Sequence, residues 1–168
     1  MRKITFLFIL LFSFKGFTQQ EPNLGRYKTT AEKLKAWHNY STSLLDLEEY
    51  PKLIIAAQKG IELSKNNPLY LSRFYLQKGT AYEFSNNKYQ EAFVNFEESL
   101  KYARRTKDVE SYTSSLMRLN YICYSLNKTC KRKALITEIK SILDTTKSVY
   151  TKAVLYGSLG VYYLDLSQ

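Results

Sequence analysis

Tyr156-Gly157-Ser158-Leu159-Gly160-Val161-Tyr162-Tyr163, near the end of the chain, sets an aromatic residue, a Leu-Gly pair and a tyrosine in the spacing aromatic-x-x-Leu-Gly-x-x-Tyr. The same frame stands upstream as Trp37-x-x-Tyr40-Ser41-x-x-Leu44 and as Tyr75-x-x-Lys78-Gly79-x-x-Tyr82. A weaker copy reads Met117-x-x-Asn120-Tyr121-x-x-Tyr124, with methionine in place of the first aromatic. The small-residue position then falls at 41, 79, 121 and 160, a period of about forty. Self-similarity at that period marks a stack of helix pairs.

A second, independent repeat supports the first. Leu53, Ile54, Ala57 and Ile61 have the spacing i, i+1, i+4, i+8; Ala92, Phe93, Phe96 and Leu100 repeat it, and Leu135, Ile136, Ile139 and Leu143 repeat it again. This is one apolar stripe of a helix written three times. A single helix pair cannot bury such a face, whereas stacked neighbours can.

Punctuation divides the chain accordingly. Thr29-x-x-Glu32 is a capping box that opens a first helix to about Asp46, and Pro51 suits the first turn of a second helix to about Ser64. Asn66-Asn67-Pro68 breaks the chain and caps a third helix to about Ser85; a fourth is expected from about Tyr89 to Arg105. Asp108 caps a fifth to about Leu126, a sixth runs from about Lys131 to Asp144, and Ser148 opens a seventh. No segment reads as a strand. The expected division is 1–18 leader, 19–28 polar linker and 29–168 repeat domain, with repeats at about 30–66, 68–107, 108–146 and an incomplete one at 148–168.

The leader rests on three features. Arg2 and Lys3 precede an apolar run from Ile4 to Phe14, and Gly16-Phe17-Thr18 puts small residues before a cut ahead of Gln19. That is the layout of a secretory signal peptide, and the run is too short to span a bilayer. The expected location is periplasmic or secreted. Without Arg2, Lys3 and Lys15, the remaining 22 basic and 15 acidic side chains leave a net charge of +7. The basic residues are scattered, with Lys131-Arg132-Lys133 and Arg104-Arg105 as the only clusters, so a solvated face is expected, and no nucleic acid partner. Export would permit a Cys123–Cys130 bridge; a buried Cys123 and a free Cys130 is the alternative reading.

These repeats resemble the tetratricopeptide family, in which the first helix of each pair carries an aromatic, then Leu-Gly, then Tyr. The resemblance covers about residues 30–168. It implies an all-α, right-handed superhelical solenoid of antiparallel helix pairs, about three and a half repeats long. Ser41, Gly79 and Gly160 fit the small position at which paired helices approach; Tyr121 and Met117 depart from it, which makes the third repeat degenerate. The family's concave groove is lined by first-helix residues facing away from the second helix. Transferred here, those positions are Lys35, His38, Asn39 and Thr42, then Arg73, Gln77, Thr80 and Glu83, then Ser115, Arg118 and Ile122. Such a polar, net basic groove suits a protein or peptide partner, with an acidic segment as one candidate; a solvated groove with no partner is the other reading. The signal peptide with long aromatic-rich repeats also resembles the exported region of bacterial membrane sensors, histidine kinases and helix-turn-helix regulators.

Little else could carry chemistry. His38 is the sole histidine, no second His or Cys stands at metal-ligand spacing, and the six glycines form no phosphate loop. No catalytic residue, cofactor or metal ligand is therefore assigned. The reading is a non-enzymatic binding module, the sensory or interaction part of a signalling receptor; a freestanding secreted scaffold or a secreted enzyme with an unrecognised site are the alternatives. The seventh helix carries apolar residues on nearly every side, among them Val154, Leu155, Tyr156, Val161, Tyr163 and Leu164. Either a longer product or a partner is expected to cover it, and self-association through this helix follows from the same pattern.

Overall fold

The computed structural model describes residues 20–85, 88–106 and 108–167, apart from the side chains at 129 and 130. The expected leader and its cut lie outside the described residues. So does the Cys130 side chain; Cys123 is a buried free thiol.

Among the described residues seven α-helices follow one another: α1 (Thr30–Asp46), α2 (Tyr50–Ser64), α3 (Pro68–Phe84), α4 (Tyr89–Ala103), α5 (Val109–Ser125), α6 (Thr129–Thr145) and α7 (Val149–Leu166). No strand occurs among the described residues. Local chemistry explains the starts. Thr29 Oγ1 accepts from the Glu32 amide at 3.1 Å and the Glu32 carboxylate accepts from the Thr29 amide at 2.9 Å, a complete capping box. Asn67 caps α3 through the Tyr70 amide and Ser148 caps α7 through the Thr151 amide. Asp108 holds the cap position of α5 but makes no cap bond; its carboxylate instead receives Arg73 Nε at 2.8 Å and the Ser111 hydroxyl at 2.8 Å, tying α5 to α3.

Each helix packs on the next in sequence, and α1, α3, α5 and α7 also touch in succession. The first helices thus form one wall and α2, α4 and α6 pack behind them. The three stripes are buried or half-buried throughout. In the first pair, Leu34 and Trp37 pack with Phe74 of α3, and the Trp37 indole N–H donates to the Ala56 carbonyl of α2 at 2.6 Å. In the second pair α3 and α4 cross at Gly79, where a Cβ would come 2.7 Å from the Phe96 ring. Tyr75 stacks on Tyr102 beside that crossing at 5.8 Å. The largest apolar cluster joins α4 to α7 through Phe93, Phe96, Leu116, Ile139 and Leu155. Part of the expected linker also packs: Leu24 lies against the α1 cluster and Glu21 pairs with Lys59 at 3.1 Å.

The four caps at 29, 67, 108 and 148 give a common count along the first helices. The eighth residue after each cap is Trp37, Tyr75, Leu116 and Tyr156; the twelfth is Ser41, Gly79, Asn120 and Gly160; the fifteenth is Leu44, Tyr82, Cys123 and Tyr163. The third frame is therefore Leu116, Asn120 and Cys123, all buried. This corrects the sequence reading by one residue: Tyr121 and Tyr124 are exposed, so Tyr121 does not sit at a helix crossing.

Asn120 occupies the position held by glycine in the second pair, and a polar cluster fills the space around it. Its amide donates to the Ser158 carbonyl at 2.8 Å, and its oxygen accepts from Arg132 Nε at 2.9 Å. Arg132 also bonds the Asp165 carboxylate and the Val161 carbonyl, with its guanidinium between the rings of Tyr124 and Tyr162. Arg132 is only 3% exposed, so it does not belong to a solvated basic cluster as expected; it locks α5, α6 and α7 together. Arg104 does face solvent and pairs with Glu138 of α6.

Candidate functional site

The wall of first helices encloses two adjoining hollows. The first, of about 440 Å³, is lined by His38 and Thr42 of α1, Arg73, Leu76, Gln77 and Thr80 of α3, Ser111, Ser114, Met117 and Arg118 of α5, and Tyr150 of α7, among others. The second, of about 530 Å³, lies between α3, α5 and α7 and is lined by Phe84, Met117, Tyr121, Val154, Gly157 and Val161 with the Glu83–Arg118 pair. Met117 and Arg118 line both, so the hollows form one continuous face.

The counting frame explains this placement. Positions six, nine, ten and thirteen after each cap all lie on the wall. They read Lys35, His38, Asn39, Thr42 on α1; Arg73, Leu76, Gln77, Thr80 on α3; Ser114, Met117, Arg118, Tyr121 on α5; and Val154, Gly157, Ser158, Val161 on α7. These spacings share one helix face. The face is polar where α1 meets α3 and apolar where α5 meets α7.

Of the residues expected to line a groove, the first hollow brings together His38, Thr42, Arg73, Gln77, Thr80 and Arg118. Glu83 lines the second hollow. Lys35 and Asn39 are exposed on α1 and line neither hollow. Ser115 and Ile122 are fully buried and line neither. Ser115 is held in a chain of small side chains, its hydroxyl 2.8 Å from that of Ser99 and donating to the Ser111 carbonyl. Ile122 belongs to the main apolar cluster. Both errors come from the one-residue slip in the third frame. Shifted back, the same reasoning reaches Ser114 and Tyr121, which do line the hollows. Leu76 and Met117 were missed because the transferred positions passed over the ninth residue after the cap in α3 and α5, and Val154 and Gly157 because the transfer stopped at the third repeat.

Electrostatics at the first hollow are dominated by paired charges. Arg73 is matched by Asp108; burial pushes that carboxyl up, but the Arg73 and Ser111 hydrogen bonds hold it below its usual range. Arg118 Nη1 donates to Glu83 at 2.9 Å, and burial still raises the Glu83 carboxyl above its ordinary value. His38 is pushed down to about 4, first by burial and then by the Arg73 charge, so near pH 7 it is a neutral imidazole. The rings of Tyr70 and Phe74 stand edge-on to it at 6.1 and 5.9 Å.

One polar atom is left over. Gln77 is 6% exposed, and its amide nitrogen donates to Thr42 Oγ1 at 3.0 Å. The Thr42 hydroxyl in turn donates to the His38 carbonyl. Gln77 Oε1 is the one buried side-chain polar atom without a hydrogen-bond partner among the described residues. A buried acceptor left unmatched costs on the order of 1–3 kcal/mol; this oxygen has essentially no accessible surface, so it is not itself presented to a ligand in the hollow. Among the described residues no cluster of His, Cys, Asp and Glu is placed to hold a metal ion, and no helix is long and apolar enough to cross a membrane.

No family model matches the chain, nor does any curated protein or solved structure.

Proposed function

We propose that the chain is a non-enzymatic protein-interaction module of the tetratricopeptide kind, a right-handed solenoid whose concave wall holds an extended peptide segment. The polar first hollow, with the Arg73 and Arg118 guanidinium groups on its lining, carries this reading. A peptide main chain supplies a carbonyl acceptor at every residue. Arg73 and Arg118 each use one guanidinium N–H on a carboxylate of the wall, and their remaining N–H groups suit a carbonyl or an acidic side chain of the ligand. The adjoining apolar hollow suits a bulky apolar side chain farther along the same segment. The favoured ligand is thus a segment with a polar or acidic stretch and an apolar anchor. The leader-like residues 1–18 and the long aromatic repeats support export and a role as the sensory part of a bacterial signalling receptor.

Charge reversal at Arg73 or Arg118 would set two carboxylates together and confuse binding with folding. Met117 is the better probe, because it is half-buried at the junction of the hollows and carries no ion pair. Random dodecapeptides displayed on phage would be selected against the purified protein. Enriched peptides are expected to share an acidic residue and an apolar anchor, and Met117→Glu should weaken them by about tenfold or more with helicity unchanged. No enrichment, or equal binding by the variant, would contradict the reading.

A further inference from the structure

The second hollow differs from the first in what its lining leaves unused. Its volume of about 530 Å³ is that of a small-ligand site. Phe84 and Tyr121 are 52% and 41% exposed there, and each ring is held by a neighbour. Phe84 stacks on Tyr50 at 5.7 Å with the Arg118 guanidinium 5.3 Å from its ring, and Tyr121 stands edge-on to Tyr89. Met117 adds a thioether where the two hollows join. On the α7 side Ala153 brings a single methyl, and a Cβ on Gly157 would meet nothing within 4 Å, so room remains there. The hollow lies between α3, α5 and α7 of the wall, and Tyr156, Gly160 and Tyr163 on the other face of α7 take no part in it.

Of the buried side-chain acceptors in this lining, one is unused. Asn120 Oδ1 accepts from Arg132, and Ser158 Oγ accepts from the Asn120 amide. Glu83 Oε2 accepts from Arg118 Nη1 at 2.9 Å. Glu83 Oε1 makes no hydrogen bond among the described residues, although Glu83 is only 7% exposed. It is not a sealed atom, for among the described residues Gln77 Oε1 alone is both fully buried and unmatched. Glu83 lines this hollow and not the first, so a carboxylate oxygen short of a donor opens on an apolar space. The donor it calls for is neutral. Arg118 already balances the carboxylate, and a second cation would lie beside that guanidinium. An anionic ligand is refused by Glu83 itself.

We propose that this hollow binds a flat aromatic ring system carrying one neutral N–H or O–H donor, an indole above all. The donor lies on Glu83 Oε1 and the ring among Phe84, Met117 and Tyr121. Aromatic and thioether groups favour an aromatic partner over a saturated one. Rings already held by their neighbours lose little freedom on binding. A tryptophan side chain of a bound segment and a free indole present the same group. The inference deepens the peptide reading and rests on it for the ring's place in a segment.

Titration of free indole into the isotope-labelled protein, followed by NMR, tests this without any peptide. Indole should bind at about millimolar concentration or tighter, with shifts at Met117, Tyr121, Val154 and Gly157. Benzofuran, the same ring system with an oxygen in place of the N–H, should bind about tenfold more weakly, because Glu83 Oε1 then faces an acceptor. Gly157→Leu should abolish indole binding while keeping helicity and raising the unfolding midpoint, since leucine is the better helix former and enters open space. N-acetyltryptophanamide binding more tightly than indole would assign the ring to a protein segment, and the reverse order to a free small molecule; either supports the site. No indole shifts at these residues, equal affinity for benzofuran, or full binding by Gly157→Leu would overturn it. Such a failure leaves the peptide reading intact, for that is tested by the selected dodecapeptides and Met117→Glu.

Discussion

Two glycines at the same count after their caps have opposite surroundings. At Gly79 the buried ring of Phe96 occupies the space a side chain would need, while at Gly160 that space is open. The helix itself gains from losing a glycine by about 0.5–1 kcal/mol, so only packing separates the two sites. Gly79→Leu is expected to lower unfolding free energy by about 1–3 kcal/mol through overpacking. Gly160→Ala should raise it by about 0.5–1 kcal/mol. Denaturant midpoints check both, and equal shifts at the two sites would contradict the register. Asn120, at the same count in α5, shows why the third frame was hard to read from residue types. The aromatic residues that mimic the pattern there, Tyr121 and Tyr124, lie on the surface, where Tyr121 packs edge-on with Tyr89 and Tyr124 meets the Arg132 guanidinium. Counting from Asp108 gives the correct frame, so the information was present in the cap rather than in the aromatics. Arg132 was misjudged for a related reason. Nothing in Lys131-Arg132-Lys133 distinguishes the middle side chain until α7 supplies Asp165 and the Val161 carbonyl.

Among the elements, the helices were legible because their ends are marked by Thr29, Asn67-Pro68, Asp108 and Ser148, and the stripes because their spacing is helical. Part of what joins the last helix to the rest was not legible, since beside the apolar contacts of Leu155 and Leu159 it is a buried polar cluster rather than a stripe. Arg132 bonds α7 through Asp165 and the Val161 carbonyl, and Asn120 bonds it through Ser158. Arg132 is buried and Asp165 only half-buried, so removing the arginine costs the hydrogen bonds it makes to Asn120, Asp165 and the Val161 carbonyl, about 1–3 kcal/mol. Arg132→Ala should therefore free α7 before the remainder unfolds. Hydrogen exchange is the direct check: amides of α7 should lose far more protection than those of α1. A uniform loss across the chain would show that α7 is not held by this cluster.

At the scale of the molecule, the wall changes character along its length. It is polar over α1 and α3, where His38, Thr42, Arg73 and Gln77 meet, and apolar over α5 and α7, where Tyr121, Val154 and Val161 meet. The polar half could be read from the sequence because polar residues on a first-helix face stand out. The apolar half could not, because apolar residues on α7 look alike whether they face the core or the groove. The same gradient gives a bound segment a direction, with its acidic part toward α1 and α3 and its anchor toward α7. Chemical-shift mapping by NMR, with a selected dodecapeptide titrated into the labelled protein, tests the binding face most directly. Shifts are expected to concentrate at His38, Gln77, Arg118, Tyr121 and Val161, with the Gln77 side-chain amide among the most displaced. Shifts confined to the outer faces of α2, α4 and α6, or none on the wall at saturation, would contradict the wall of first helices as the binding site.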